Sequence, residues 1–142
     1  MDKIEKKIHE TFGWWVNPVA NAKGNEEPDM IDENNELHQV GSNRKTMANN
    51  ENYILTGNPA KDFTELLKQD VSDYLTLYIN HSKDGEQLLI YSEQDAIELF
   101  TDNPDFLYYD YDSRTKKPTL RIKVLKNKIR TYQVYATKIK KF

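Results

Sequence analysis

The chain has no cysteine, only five glycines and five prolines among 142 residues, and little uninterrupted hydrophobicity. The first lack excludes disulfides and thiolate metal sites. The second leaves phosphate-cradling loops poorly supplied, and neither G-x-x-x-x-G-K-[ST] nor G-x-G-x-x-G occurs. A G-x-S-x-G nucleophile elbow is also missing. No stretch approaches the roughly 18–20 consecutive apolar residues that cross a bilayer. Charges interrupt Met1–Glu10, so no signal-peptide centre is present there. The expected compartment is the cytoplasm, or a particle assembled in it.

Acid is missing from one end. Residues 1–113 carry 9 Lys/Arg against all 23 Asp/Glu, a balance of −14, whereas residues 114–142 carry 11 Lys/Arg and no acid. The formal net charge of −3 conceals this division. Such asymmetry points either to a nucleic-acid or acidic partner or to a basic tail neutralised by the acidic body. Lysine outnumbers arginine 16 to 4, and Asn, Ile and Tyr are plentiful. That bias fits an AT-rich genome such as a low-GC bacterium, its phages or its plasmids.

The length predicts one domain. The apolar fraction, 37%, lies below the average of about 45–50%, and the deficit is local. Residues 1–15 read as an amphipathic helix, with Ile4, Ile8, Thr11, Phe12 and Trp15 on one face. Gly13 and Pro18 bring it to an end. Residues 17–52 are mainly Asn, Glu, Asp, Lys, Ser and Gly without a period of 2 or 3.6, and read as an extended polar arm. Residues 53–142 read as the compact body.

Within that body, Asn58-Pro59 starts a helix over 59–71. Leu75, Leu77 and Ile79 alternate with Thr76, Tyr78 and Asn80 as a half-buried strand. Asp84-Gly85 then turns the chain into a second strand at Gln87–Tyr91. Ser92 with Asp95 caps a short helix bearing Ala96, Leu99 and Phe100, which Asn103-Pro104 ends. Strands follow at Asp105–Tyr111, Thr119–Leu125 and Arg130–Ile139. The expected class is α+β: a small antiparallel sheet of about five strands with two short helices, preceded by the amphipathic helix and the arm.

Few residues suggest chemistry. His9, His38 and His81 lie in three different segments and read as solvent-exposed side chains. Asp102, Asp105, Asp110 and Asp112 are the densest acids. Asp110-x-Asp112-x-Arg114 opens like a calcium loop but lacks Gly at the sixth position and Glu at the twelfth. No cofactor or metal is expected, and the chain reads as non-enzymatic. Arg121, Lys123, Lys126, Lys128, Arg130 and Tyr135 suggest a basic sheet face with an aromatic platform, suited to single-stranded nucleic acid. Lysines on edge strands also serve to block aggregation.

The leading expectation is a protein-binding or assembly subunit, phage-like in composition. Ile4, Ile8, Phe12, Trp14 and Trp15 would anchor it on another protein or on further copies of itself. The alternatives are a nucleic-acid-binding module and a small inhibitor of a DNA-handling enzyme. The inhibitor would use Glu26, Glu27, Asp29, Asp32, Glu33 and Glu36 as a phosphate mimic.

Overall fold

The computed structural model describes residues 3–18, 30–41, 52–55, 73–81, 83–112 and 117–142, with backbone alone at 52–55, 109–112 and 117–121. The class is α+β. The first helix, α1 (Lys3–Phe12), lies where the apolar spacing places it, and Gly13 ends it with φ +77° while its N–H bonds the His9 carbonyl at 2.9 Å. This is the left-handed cap that glycine adopts without a Cβ penalty. Two short strands, β1 (Trp15–Val16) and β2 (Met30–Ile31), precede β3 (Leu37–Gly41) and β4 (Asn52–Leu55).

The hairpin expected around Asp84-Gly85 is present. β5 (Tyr74–His81) pairs antiparallel with β6 (Gly85–Ser92), from Tyr74 opposite Ser92 to His81 opposite Gly85, whose φ is +73°. Ser92 caps α2 (Glu93–Asp102) by accepting the Asp95 N–H at 3.2 Å, and Ala96, Leu99 and Phe100 are its buried residues. Pro104–Phe106 form a 3-10 turn, followed by β7 (Leu107–Asp112) and β8 (Lys117–Leu125), which pair antiparallel.

One expected strand is a helix. Residues Arg130–Ile139 divide into α3 (Ile129–Tyr135), entered through a 3-10 turn at Lys126–Lys128, and β9 (Lys138–Lys141). The apolar and aromatic residues of this stretch satisfy both periods. Ile129 and Tyr132, three apart, are the ones buried, while Val134 is exposed, so burial follows the helical period. The helix expected over 59–71 lies outside the described residues.

The strands form two sheets rather than one. The larger has the order β1-β2-β3-β5-β6-β9; the smaller has β4-β8-β7. β3 pairs with β5 in parallel, His38 opposite Tyr74, so the larger sheet is mixed and not wholly antiparallel. Residues 30–41, expected within the polar arm, supply two of its strands, so this sheet runs across the expected boundary at residue 52. Residues 19–29 and 42–51 of that arm lie outside the described residues.

The β5–β6 pair is buried on both faces, not half-buried. Leu75, Leu77, Ile79, Leu89 and Tyr91 join a core with Ala96, Leu99, Phe100, Phe106, Ile122, Val124, Ile129 and Tyr132. On the opposite face Tyr78, Leu88 and Ile90 join Ile8, Trp14 and Met30, with Ile4, Phe12, Val16, Val40, Tyr74 and Phe142 packed around them. The central hairpin therefore lies between α1 and its neighbours on one side and α2, α3 and β8 on the other.

Candidate functional site

A buried polar constellation lies on the α1 face of the larger sheet. It begins in the turn between β2 and β3. Asp32 Oδ1 accepts the backbone N–H groups of Asn34 at 2.8 Å and Glu36 at 3.0 Å, while the Asn35 N–H bonds the Asp32 carbonyl at 3.0 Å. Asn35 adopts φ +64°, a left-handed conformation that asparagine tolerates better than most residues. These bonds direct the second oxygen, Oδ2, at His38 Nε2, 2.8 Å away. On the other side of the ring, His38 Nδ1 is 2.7 Å from Thr76 Oγ1.

His38 and Thr76 are fully buried and Asp32 is nearly so. The imidazole lies between two aromatic rings: Trp14 at 4.1 Å between centroids and 29° between planes, and Tyr74 at 5.0 Å and 23°. Around this stack, Trp14 Nε1–H donates to Glu33 Oε2 at 2.8 Å, and Lys140 Nζ donates to Glu33 Oε1 at 3.3 Å. Lys138 Nζ lies 4.9 Å from the Tyr74 ring centroid. The site thus ties the segment after α1, the β2–β3 turn, β5 and β9 together.

Electrostatics assigns the protons. Burial pushes the His38 pKa below its ordinary value, against the opposing pull of the Asp32 hydrogen bond and charge. For Asp32 burial acts upward, but the His38 bond and the two backbone N–H groups outweigh it and hold the carboxyl below its usual value. The pair is therefore an ionised Asp32 and a neutral His38. Because an ionised carboxylate only accepts, Nε2 carries the hydrogen, and Nδ1 accepts from the Thr76 hydroxyl. The Glu33 carboxyl is also lowered, first by a backbone N–H and then, against burial, by Lys140 and Trp14.

Carboxylate, imidazole and hydroxyl in this order match the roles of a hydrolase triad. Here, however, both the imidazole and the hydroxyl are fully buried, and a nucleophile must reach its substrate. In this arrangement the chain of bonds joins strands. Among the described residues, no group of three or more His, Cys, Asp and Glu gathers as metal ligands would.

The expected site residues divide. Ile8 and Trp14 are fully buried, and Ile4 and Phe12 pack against them, so these four belong to the protein's own core. Trp15 alone of the five is largely exposed, at 64%. The helical spacing extends to Trp15, but Gly13 ends the helix after Phe12, and the chain beyond it buries Trp14. His9 holds this corner, its Nδ1 2.7 Å from the Trp14 carbonyl oxygen and its ring 4.4 Å from that of Trp15.

The basic residues do not share one sheet face. Lys123 is on β8, Lys126 and Lys128 are on the 3-10 turn, and Arg130 and Tyr135 are on α3; the Arg121 side chain lies outside the described residues. Tyr135 donates its hydroxyl to Asp102 Oδ2 at 2.5 Å. That bond, first, raises the tyrosine's pKa. Within the acidic segment, Asp32 turns inward to His38 and Glu33 is engaged by Trp14 and Lys140. Glu26, Glu27 and Asp29 lie outside the described residues, as do the Asp110 and Asp112 side chains.

None of the three histidines is exposed as expected: His38 is fully buried, and His9 and His81 are partly buried. A polar residue alternating with Val40 on a short strand was the available signal for His38. No family model, curated protein or solved structure matches the chain.

Proposed function

We propose that the protein is a non-enzymatic binding or assembly subunit that engages another protein chain, which can be a second copy of itself, through Trp15. The observation that supports this is the contrast between adjacent tryptophans. Trp14 is fully buried while Trp15 is 64% exposed, on a strand at the edge of the larger sheet. His9 braces both, through the Trp14 carbonyl and the Trp15 ring. An exposed indole already held in place loses little freedom on binding, and such aromatics are the residues that most often anchor protein interfaces. Covering its remaining surface supplies roughly 2–4 kcal/mol, the size of an interface hot spot. β1 is only two residues long, so it offers the indole without offering a long edge for indiscriminate pairing.

The test places a photo-crosslinking amino acid at Val16, beside an intact Trp15, and, as control, at the exposed Ile97 on α2. The full-length protein is then irradiated in cells of its native host. A discrete adduct from position 16 that is absent from position 97, and that Trp15→Ala abolishes, supports the reading. Identical adducts from both positions, or no adduct from either, refute it.

A further inference from the structure

The acid-free end of the chain does not act as one unit. Lys138 lies over Tyr74, and Lys140 pairs with Glu33 and lies 5.4 Å from the Phe12 ring centroid, so these two are committed to the α1 face. Lys123, Lys126, Lys128 and Arg130 are different. They follow one another across the end of β8, the 3-10 turn and the first turn of α3. Lys126, Lys128 and Arg130 are exposed and Lys123 partly so. None of the four forms a salt bridge with a described residue, whereas Lys7 and Lys140 do.

This corner is also held on a rigid base. The buried Tyr132 of α3 donates its hydroxyl to the Lys123 carbonyl at 2.8 Å, its own carbonyl accepts the Tyr91 hydroxyl, and its ring stacks on Phe106 at 4.6 Å. The strand before the basic turn and the helix after it are thus fastened to each other and to the core. Four cations are kept within eight consecutive residues although their repulsion opposes it.

We propose that Lys123, Lys126, Lys128 and Arg130 form a contact for the phosphate backbone of nucleic acid. A 3-10 turn rises about 2 Å per residue, so Lys126 to Arg130 spans roughly 8 Å. Phosphates of one strand recur about every 3.4 Å along a duplex axis, which places two or three of them under the turn. The contact carries no base readout. Tyr135 is partly buried against the core and Tyr132 is fully buried, so the proposal assigns no stacking role to either. A membrane fits less well, because Val134 is the one exposed large apolar side chain of α3, and burying it yields at most about 1.5 kcal/mol.

The experiment measures fluorescence anisotropy of a labelled 20-nucleotide single strand and of its duplex with the full-length protein, from 20 to 200 mM NaCl. Vesicles of equal phosphatidylserine and phosphatidylcholine are run in parallel by co-sedimentation. Neutralising about three phosphates gives log–log salt slopes near −2 for the single strand and near −2.7 for the duplex. At 20 mM salt, K126E/K128E/R130E weakens binding more than tenfold, K126Q/K128Q/R130Q weakens it less, and K141E on β9 changes it less than twofold. Thermal melts confirm that each variant is folded, and the glutamine variant carries the comparison if the glutamate one is not. Absence of saturable binding, a slope shallower than −1, equal loss in K141E, or tighter binding to vesicles than to either nucleic acid overturns the proposal.

Discussion

Acidification is the perturbation that the buried histidine makes most informative. His38 has its folded pKa depressed by burial, whereas an unfolded histidine titrates near 6.5. Below that value the unfolded chain takes up a proton that the folded chain refuses, so stability falls as pH falls, by up to 1.36 kcal/mol per pH unit. Between pH 7.5 and 5.5 the loss reaches about 1.4 kcal/mol if His38 stays neutral throughout, the free energy of protonating a group of pKa 6.5 in the unfolded state alone. Asp32 acts in a second window. Its folded pKa is also depressed, so its contribution is intact above about 3.8 and is lost as pH drops through the lowered value. The charges facing His38 are Asp32 and Glu36 from the β2–β3 turn and Lys138 from β9. Glu36 favours the cation and Lys138 disfavours it. Urea denaturation followed by circular dichroism across pH 5.5–7.5, compared between the wild type and His38→Gln, isolates this residue because His9 and His81 cancel in the difference. The wild type should lose about 1.4 kcal/mol more than the variant over that range. A wild-type stability that rises on acidification, with the variant flat, would show His38 to be an imidazolium held by Asp32 and would refute the assignment of protons.

Three further substitutions test the surrounding structure. Gly85→Ala places a side chain at φ +73° with open space around its Cβ, so the cost is conformational alone, about 1 kcal/mol in a urea midpoint, and a larger loss would contradict the open space. Ser92→Ala removes the acceptor for the Asp95 N–H and should cost about 1 kcal/mol, mostly restored by Ser92→Asp; an unchanged melting temperature would mean the cap is idle. Tyr132→Phe leaves the Lys123 carbonyl without its buried donor and should cost about 1–3 kcal/mol while sparing the ring stack on Phe106. In that variant, amide hydrogen exchange should quicken over residues 123–130 and remain unchanged in the β5–β6 hairpin.

The parts of the fold that were legible in sequence are those in which a local signal agrees with the tertiary arrangement. The Asp84-Gly85 turn lies between two apolar runs of equal length, and glycine's positive φ suits that turn. The Ser92 cap and the Ala96, Leu99 and Phe100 spacing likewise need no partner to be recognised. Where two periods fit the same residues, local reasoning chose wrongly. Ile129, Tyr132, Val134 and Ala136 contain both an alternating and a helical pattern, and β-branched and aromatic residues favoured the strand. Packing decides the matter, because Ile129 and Tyr132 have a core of Phe106, Ile122 and Val124 to fill. The parallel β3–β5 pairing was out of reach, since 32 residues separate Gly41 from Tyr74 and nothing local to either strand names its neighbour.

The histidine site was missed for a different reason. The reading of residues 17–52 as a polar arm counts apolar side chains as the means of offsetting ordering entropy. That count omits polar groups that satisfy one another. Asp32 accepts two backbone N–H groups and one imidazole N–H, so its burial leaves little unmet hydrogen bonding and fixes the turn on which His38 depends.

The same reasoning applies to the segregated charge. An acidic body and a basic tail on one chain can neutralise each other only as far as the fold brings particular side chains together. β9 does so for Lys138 and Lys140, because pairing with β6 lays them on the face where Tyr74, Phe12 and Glu33 are waiting. The turn from β8 into α3 borders the other core, and its cations form no salt bridge with a described residue. Among the described residues, internal pairing therefore accounts for one part of the basic end and leaves Lys123, Lys126, Lys128 and Arg130 outside it. The net charge of −3 averages the two parts and describes neither.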